Sequence, residues 1–285
     1  MTNDSRARSS SDVWSYAGKR VVIAGCHSGM GEATARELVR LGAEVHGVDI
    51  KPSPVDLASF HQVDLRHTAQ IDAALDAIGA PIDASFYCAG LPQTFPVVEV
   101  MTVNFVHMRH WTEQVAARMP RGGACAMIAS TAGHAWRENR PLIDELLATP
   151  DAAAGVAWCE KNQDRYGDAY VFSKMCIQVF CMKMATPLIK RGIRINVVNP
   201  APTETPMMRV FESAAPAAFI DVFVEPIGRR AQPEEMAYPL IFLNSDAARF
   251  ISGHNLNVDG GWAGSFDSGV LDPGALIEKA LAAMS

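Results

Sequence analysis

The feature that most constrains the fold is a regular alternation of short apolar segments with longer helical patterns. The apolar segments are six to nine residues long, and strands are expected at 19–25, 43–50, 60–65, 82–90, 123–130, 194–200 and 254–261. Short apolar strands that alternate with helices indicate a parallel sheet covered by helices on both faces. The sequence therefore predicts a single α/β domain built on a doubly wound parallel sheet.

Composition argues against several classes of protein. The chain has 285 residues, 20% charged residues and a net charge of −6, whereas a nucleic-acid partner requires a concentrated basic face. No apolar run approaches the roughly 18 residues of a membrane-spanning helix, and the N-terminal MTNDSRARSSSD has no signal-peptide core. The six cysteines and eight histidines show no metal-binding spacing. We therefore expect a cytoplasmic protein with no metal, nucleic-acid partner or membrane.

A glycine-rich turn, AGCHSGMG (24–31), lies where the first strand passes into the first helix. Gly25, Gly29 and Gly31 allow the backbone to turn tightly and to approach a pyrophosphate closely. The free N–H groups and the dipole of the helix N-terminus then stabilise the anion. Any strand-to-helix turn favours glycine, but after the first strand of an alternating chain the pattern indicates a dinucleotide.

Acidic residues end the second and third predicted strands. Asp49 lies 24 residues beyond Gly25, where a carboxylate accepts hydrogen bonds from ribose hydroxyls and repels a 2′-phosphate. Asp64, in VDL, is placed to meet the adenine amino group. These positions favour NAD(H) over NADP(H), although Lys51 nearby weakens the repulsion. The alternative for either acid is a solvated carboxylate at a strand end.

The stretch DAYVFSKMC (168–176) places Tyr170 and Lys174 one turn apart on one helix face. Such a pair occurs by chance in many helices, so the motifs that precede it decide its meaning. They are, in order, the glycine-rich turn, an acidic strand end, CAG after the fourth strand, Asn104 in a helix, and Ser130 at the tip of the fifth strand. In this order they resemble the short-chain dehydrogenase/reductase family over roughly residues 18–263.

The resemblance implies a Rossmann fold and a nicotinamide-dependent reaction between an alcohol and a ketone. Oxidation of an alcohol requires a base for the hydroxyl proton while hydride leaves for the nicotinamide. Tyr170 would be that base, and the Lys174 ammonium and the cationic ring would both lower the pKa of its phenol from near 10. Ser130 would hydrogen-bond the substrate oxygen. Asn104 would hold a relay water near Lys174, which would also bind the nicotinamide ribose.

The resemblance also assigns cofactor contacts. The segment NPAPTETP (199–206) resembles the family's loop beyond the sixth strand, in which Thr203 and Thr205 would fix the nicotinamide carboxamide. Ala201 departs from the pattern, because the family usually has glycine there. The residues expected against NAD are Gly25, Ser28, Gly29, Met30, Gly31, Asp49, Asp64, Leu65, Ala89, Gly90, Tyr170, Lys174, Pro200, Thr203 and Thr205.

An insertion separates Ser130 from Tyr170, which are 40 residues apart and closer in most of the family. The additional segment, residues 134–168, contains two helical patterns. It would cover the substrate cleft, block a common dimer surface of the family, form another dimer contact, or simply lie on the surface. We expect a flexible tail over 1–17, a dehydrogenase domain over 18–263 with this insertion, and a C-terminal extension over 264–285.

The insertion, CAGLPQT and PAPTETPMM most resemble the 3α-hydroxysteroid dehydrogenase/carbonyl reductase subgroup. The residues after Thr205 suit a large apolar substrate or equally a loop packed on the core: Met207, Met208, Val210, Phe211, Phe219, Ile220, Val222, Phe223 and Val224. The first hypothesis is an NAD(H)-dependent homodimer or homotetramer that interconverts a secondary alcohol and a ketone, on a hydroxysteroid or a similarly bulky hydrophobic molecule. The alternatives are an aromatic (lignin-type) benzylic alcohol dehydrogenase with the same residues and a non-catalytic NAD(H)-binding sensor.

Overall fold

The computed structural model describes residues 12–214 and 216–282. Seven parallel strands form one sheet in the order β3-β2-β1-β4-β5-β6-β7, which confirms the doubly wound α/β expectation. Most of the strands are buried on both faces, as continuous apolar segments require in a parallel sheet. The strands are β1 Arg20–Ala24, β2 Glu44–Asp49, β3 Ser59–Gln62, β4 Ala84–Tyr87, β5 Ala124–Ile128, β6 Arg194–Pro200 and β7 Asn255–Val258.

Helices cover the sheet on both faces, and each face has its own core. One core packs against α2, α4 and α7, and the other against α1 and α10. A π-helical turn, Thr102–Val106, joins α3 to α4. The α-helices are α1 Gly29–Arg40, α2 Thr68–Ile78, α3 Val97–Met101, α4 His107–Ala117, α5 Arg140–Leu147, α6 Ala152–Lys161, α7 Ala169–Lys190, α8 Pro206–Ala214, α9 Ala217–Asp221, α10 Pro233–Asn244, α11 Trp262–Asp267 and α12 Pro273–Ala282.

The third strand is shorter than the sequence pattern predicts. Asp49 ends β2 as expected, but β3 ends at Gln62 rather than at residue 65. The Asp64 carboxylate accepts the Arg66 backbone N–H at 3.0 Å, which turns the chain toward α2. Asp64 and Leu65 therefore lie in the turn after the strand, and the expectation that Asp64 ends the strand is wrong.

The folded part of the chain also begins before the predicted boundary at residue 18. Residues 1–11 of the expected tail lie outside the described residues. Tyr16 is fully buried, and its hydroxyl donates to the Ile241 carbonyl at 2.7 Å. The Trp14 ring lies 5.7 Å from the ring of Phe242, so both aromatic residues fasten this segment to α10.

The insertion packs against the α3–α4 segment and α7. It forms α5 and α6, and the Asp151 carboxylate caps α6 by accepting the Ala154 N–H at 2.8 Å. Ile143, Leu146 and Cys159 are buried in the core that α4 and α7 share. The insertion is therefore packed on the domain through buried side chains, and its role stays a prediction.

Candidate active site

A cleft of about 730 Å³ opens at the carboxyl ends of the central strands. Ligands of open α/β sheets bind at this edge, where the strand order reverses on either side of β1. Of the predicted site residues, Gly31 and Asn104 lie behind the lining. All the others line the cleft: Gly25, Ser28, Gly29, Met30, Asp49, Asp64, Leu65, Ala89, Gly90, Ser130, Tyr170, Lys174, Pro200, Thr203 and Thr205.

The glycine-rich turn has the shape that a pyrophosphate requires. Gly25 and Gly29 have φ of +86° and +60°, which side chains rarely tolerate. A Cβ on Gly31 would lie 1.8 Å from the Gly25 carbonyl oxygen, so α1 approaches β1 closely only because this residue is glycine. The first turn of α1 therefore faces the cleft with free N–H groups, and this part of the chain fits the diphosphate of a dinucleotide.

Asp49 is held by the backbone at the mouth of the cleft. Its two carboxylate oxygens accept the His27 N–H at 2.9 Å and the Lys51 N–H at 3.0 Å. A carboxylate offers about four acceptor sites, so each oxygen can still accept a ribose hydroxyl. The position of Asp49 fits the adenosine half of a nicotinamide dinucleotide.

Asp64 is engaged by a neighbouring arginine. Arg66 donates to both Asp64 carboxylate oxygens, with its Nη2 at 2.7 Å, and also to Glu99 at 2.7 Å. The arginine holds the pKa of Asp64 below its usual range. Arg66, which the sequence analysis did not select, therefore lies in the cleft where the adenine was expected to meet Asp64. A signal for it existed, since an arginine two residues after an Asp can close on that carboxylate.

The Tyr170–Lys174 pair lies on the cleft side of α7. The Asp168 carboxylate caps this helix by accepting the Val171 N–H at 2.9 Å, which fixes where the first turn starts. The Lys174 Nζ lies 5.3 Å from the centroid of the Tyr170 ring. Ser130, two residues beyond β5, lines the cleft with them and lies near enough to the phenol to lower its pKa. The three side chains that the family resemblance predicted to act together thus line the same cleft.

Burial decides the pKa of both residues of the pair. Burial raises the pKa of Tyr170 to about 12, although the nearby Ser130 hydroxyl acts to lower it. Burial lowers the pKa of Lys174 to about 8. The expected lowering of the tyrosine pKa is therefore not what the protein's own groups produce, because desolvation of the phenolate outweighs them.

Asn104 does not line the cleft but hydrogen-bonds the backbone of Leu91, which does. It lies in the π-helical turn, a feature frequent at functional sites. Its Oδ1 accepts the Leu91 N–H at 2.7 Å, and its Nδ2 donates to the Leu91 carbonyl at 3.0 Å and to Ser173 Oγ at 3.3 Å. A Cβ on Gly90 would lie 3.4 Å from Asn104 Oδ1 and 3.9 Å from Lys174 Nζ. Asn104 therefore holds the loop after β4 beside Lys174, and its relay of a water stays a prediction.

The two threonines of the loop after β6 have different partners. Thr203 is buried, and its hydroxyl donates to the Ala201 carbonyl at 2.9 Å. Thr205 Oγ1 accepts the Met208 N–H at 3.3 Å at the start of α8, so its own hydrogen remains available to a ligand. Thr205 is thus the better placed of the two to bind a carboxamide.

An apolar surface, which we call the substrate wall, faces Tyr170 across the cleft. Its members come from α8, α9 and the turn after them: Met207, Met208, Phe211, Phe219, Ile220 and Phe223. The Phe211 ring meets the Tyr170 ring edge-on at 5.1 Å. Val210, Val222 and Val224 do not line the cleft. Leu91, Gln93 and Phe95, which had no motif to mark them, also line the cleft.

Neither the insertion nor the C-terminal extension lines this cleft in the described residues. The lining stops at Ala132 and resumes at Tyr170, and the alternative in which residues 134–168 cover the cleft stays a prediction. Over the part of the chain that the structure describes, no three His, Cys, Asp or Glu residues cluster as metal ligands. In the same residues no helix has the length and hydropathy needed to cross a bilayer.

Comparison with known proteins covers most of the chain. Residues 19–141 match the family model described as short chain dehydrogenase, and residues 155–263 match the one described as enoyl-(acyl carrier protein) reductase. The coniferyl-alcohol dehydrogenase of Pseudomonas sp. (strain HR199 / DSM 7063) is 31% identical over 249 residues, 87% of this chain and 98% of that protein. The 3-alpha-hydroxysteroid dehydrogenase/carbonyl reductase of Comamonas testosteroni is 32% identical over 246 residues, 85% of this chain and 95% of that protein.

A solved structure of a 3-alpha-hydroxysteroid dehydrogenase has a similar fold. The 3-alpha-hydroxysteroid dehydrogenase from Pseudomonas sp. B-0831, complexed with NADH, has a TM-score of 0.72 at 28% sequence identity. The match covers 85% of this chain and 96% of that chain.

Proposed function

The chain belongs to the short-chain dehydrogenase/reductase family, and we propose that it is an NAD(H)-dependent enzyme that interconverts a secondary alcohol and a ketone on a bulky hydrophobic substrate. A hydroxysteroid is the first candidate for that substrate. The observation that carries the proposal is the Ser130–Tyr170–Lys174 arrangement, which lies beside the glycine-rich turn on one side and faces the substrate wall on the other.

The proposed chemistry assigns one role to each polar side chain. Bound NAD would accept the hydride from the alcohol carbon or return it to the ketone. Tyr170 takes up the hydroxyl proton, which requires a phenolate that the cation of Lys174 stabilises. Ser130 hydrogen-bonds the reacting oxygen and so stabilises the negative charge that develops on it. Asn104 keeps the loop after β4 in place beside Lys174.

The lining of the cleft supports an uncharged substrate. The substrate wall consists of methionine, phenylalanine and isoleucine side chains, and the lysines and arginines among the lining residues are Lys51, Arg66 and Lys174. A phosphate or a coenzyme A group would need cations on the wall itself. A flat, apolar polycyclic molecule fits such a surface, and so does a substituted aromatic ring.

Asp49 supports NAD(H) as the cofactor. Its carboxylate is held at the mouth of the cleft by two backbone N–H groups, so it cannot easily turn away from a 2′-phosphate. A relative of this chain is named for its action on a hydroxysteroid and another for its action on coniferyl alcohol. The aromatic alcohol dehydrogenase therefore remains the second candidate. Family resemblance alone supports a homodimer or homotetramer.

Absorbance at 340 nm tests the proposal. NAD⁺ and NADP⁺ are each supplied with a panel of 3-, 17- and 20-hydroxysteroids and of bulky aryl carbinols. Turnover of one steroid position with NAD⁺ supports the first candidate, and turnover of aryl carbinols alone supports the second. We expect Tyr170→Phe to bind NADH normally and to lose turnover at least about a hundredfold. Retained turnover in this variant would contradict the proposed role of Tyr170. NADH binding without turnover of any alcohol would instead favour the non-catalytic sensor.

A further inference from the structure

The substrate wall stands on helices that bury little of their own surface. Met208 is the buried residue of α8, and α9 has none. Burial of apolar side chains is the usual means of fastening a helix to its domain. The two helices that carry five of the six wall residues therefore need attachments beyond their own burial, and the contact of α9 with α12 is one of them.

The ion pairs of these two helices converge on one side chain, Arg230. Its Nη1 lies 2.5 Å from Glu212 Oε1 in α8 and 3.6 Å from Glu204 Oε1 in the loop after β6. Its Nε lies 2.9 Å from Asp221 Oδ1 at the end of α9. In the described residues, every ion pair made by α8 or α9 has Arg230 as its cation. Glu212 follows the wall residue Phe211, and Asp221 follows the wall residue Ile220.

Arg230 is itself fixed by the backbone around it. The next residue, Ala231, donates its N–H to the Pro202 carbonyl at 3.0 Å and accepts the Glu204 N–H at 2.9 Å. These bonds tie residues 230–231 to the loop that carries Thr203 and Thr205. The Arg230 side chain is only 11% exposed, whereas its carboxylate partners are between 37% and 51% exposed. The guanidinium is thus a largely buried anchor for acids on three separate segments.

The charges in this cluster do not balance. One guanidinium faces three carboxylates, so the cluster carries a net charge of −2 when all are ionised. Arginine is suited to this position because its planar fork donates in several fixed directions, whereas a lysine ammonium is a single point charge. Without the guanidinium the three carboxylates would repel one another across the segments that they occupy. Loss of Arg230 would therefore separate α8 and α9 from the loop after β6, rather than simply remove three contacts.

We propose that Arg230 is a positioning residue that holds α8 and α9 against the cleft, so that the substrate wall is assembled before a substrate binds. Arg230 is not among the residues that line the cleft. The part of this inference that concerns substrate affinity rests on the proposed function. The part that concerns the position of the two helices does not.

Amide hydrogen exchange on the full chain tests the inference directly. We expect exchange in peptides that cover 206–224 to become about tenfold faster in Arg230→Met, because local opening follows the loss of a partly buried ion-pair network. The matched control is Arg229→Met. The neighbouring Arg229 pairs with Glu235 at 2.6 and 2.7 Å and donates to the Arg230 backbone carbonyl at 3.1 Å, but in the described residues it makes no ion pair with either wall helix. Its loss is expected to leave exchange in 206–224 unchanged.

A second variant covers the case in which Arg230→Met does not fold. Arg230→Lys keeps the positive charge, and we expect it to give exchange between the wild-type and the methionine values. Exchange in 206–224 equal to wild type in both Arg230 variants would overturn the proposal. An increase of the same size in Arg229→Met would also overturn it, since the effect would then be a general one.

Kinetics adds a readout that a general loss of stability would not produce. With the alcohol identified in the panel assay, we expect Arg230→Met to raise KM for that alcohol about tenfold while kcat stays within about twofold, because the wall binds substrate and does not take part in proton transfer. A fall in kcat with unchanged KM would contradict the positioning role. If no alcohol is turned over by the wild type, the proposed function fails, but the exchange experiment still decides the role of Arg230.

Discussion

Replacement of Lys174 by methionine is expected to make the protein more stable and inactive at the same time. Lys174 is buried, and burial lowers its pKa from 10.5 to about 8. A tenfold change in proton affinity corresponds to about 1.4 kcal/mol, so the charged ammonium is about 3 kcal/mol less favourable in the folded protein than in the unfolded chain. Methionine keeps most of the apolar stem and removes the charge.

The expected net gain is smaller than this electrostatic cost. The Lys174 Nζ donates a hydrogen bond to the Ile128 carbonyl at 3.2 Å, and methionine cannot replace it. Loss of that bond costs about 1 kcal/mol, which leaves a gain of about 2 kcal/mol in the free energy of unfolding at pH 7. For a chain of this length such a gain corresponds to a rise in Tm of about 4 °C.

The gain in stability of Lys174→Met over the wild type is expected to shrink as the pH rises. Below about pH 8 the lysine is charged in both the folded and the unfolded state, so the wild type bears the full cost. Between about pH 8 and 10.5 the folded lysine loses its proton first and the unfolded chain binds more protons, so wild-type stability rises with pH relative to Lys174→Met. The advantage of the variant is therefore largest at pH 7 and shrinks through this window.

Urea unfolding of the wild type and of Lys174→Met at pH 7 and at pH 10 measures the change in stability. The 340 nm assay measures the loss of activity. The matched control is Lys183→Met, which removes an exposed lysine of the same helix that pairs with Asp144 at 2.8 Å. We expect the control to change stability by less than about 1 kcal/mol and to retain activity. A Lys174→Met protein that is no more stable than wild type at pH 7, or whose advantage persists unchanged at pH 10, would refute this account of the lysine.

Two further predictions concern the cofactor half of the cleft. Asp49→Ser is expected to lower the preference for NAD⁺ over NADP⁺ by at least about tenfold, measured as the ratio of the kcat/KM values, because the substitution removes a fixed charge that repels a 2′-phosphate. A wild-type protein that prefers NADP⁺ would contradict this role of Asp49. Gly31→Ala is expected to weaken NADH binding about a hundredfold in a fluorescence titration, because the new Cβ would lie 1.8 Å from the Gly25 carbonyl oxygen and must displace α1. Gly264→Ala, where a Cβ meets nothing within 4 Å, is the control, and equal losses in the two glycine variants would contradict the steric explanation.

Local patterns in the sequence were sufficient for the sheet and for the positions along its edge. The apolar segments have the period and length of buried parallel strands, and all parallel strands deliver their carboxyl ends to one edge. Gly25, Asp49 and Ser130 lie at or just beyond the carboxyl ends of three of these strands, so their convergence on one cleft follows from topology. Tyr170 and Lys174 could be placed on one helix face because only the helical period was needed.

Features that depend on distant contacts could not be predicted in this way. Tyr16 bonds a carbonyl 225 residues away, and no local pattern encodes that partner. Arg230 joins three segments whose proximity follows only from the path of the loop after β6. The raised pKa of Tyr170 was also missed, because it comes from burial by tertiary structure whereas the sequence shows only the neighbouring lysine.

The insertion explains how α7 tolerates a buried charge at Lys174. Phe172, which lies between Tyr170 and Lys174 in sequence, is buried, and its ring stacks on Tyr166 at 5.1 Å and on Trp158 at 6.4 Å. Both partners belong to the insertion. Burial of a phenylalanine contributes about 1.5–3 kcal/mol, and each aromatic pair adds about 0.5–1.5 kcal/mol. These contacts are of the same size as the cost of the lysine, so the segment between Ser130 and Tyr170 offsets at one side of the helix what the proposed catalytic pair costs at the other.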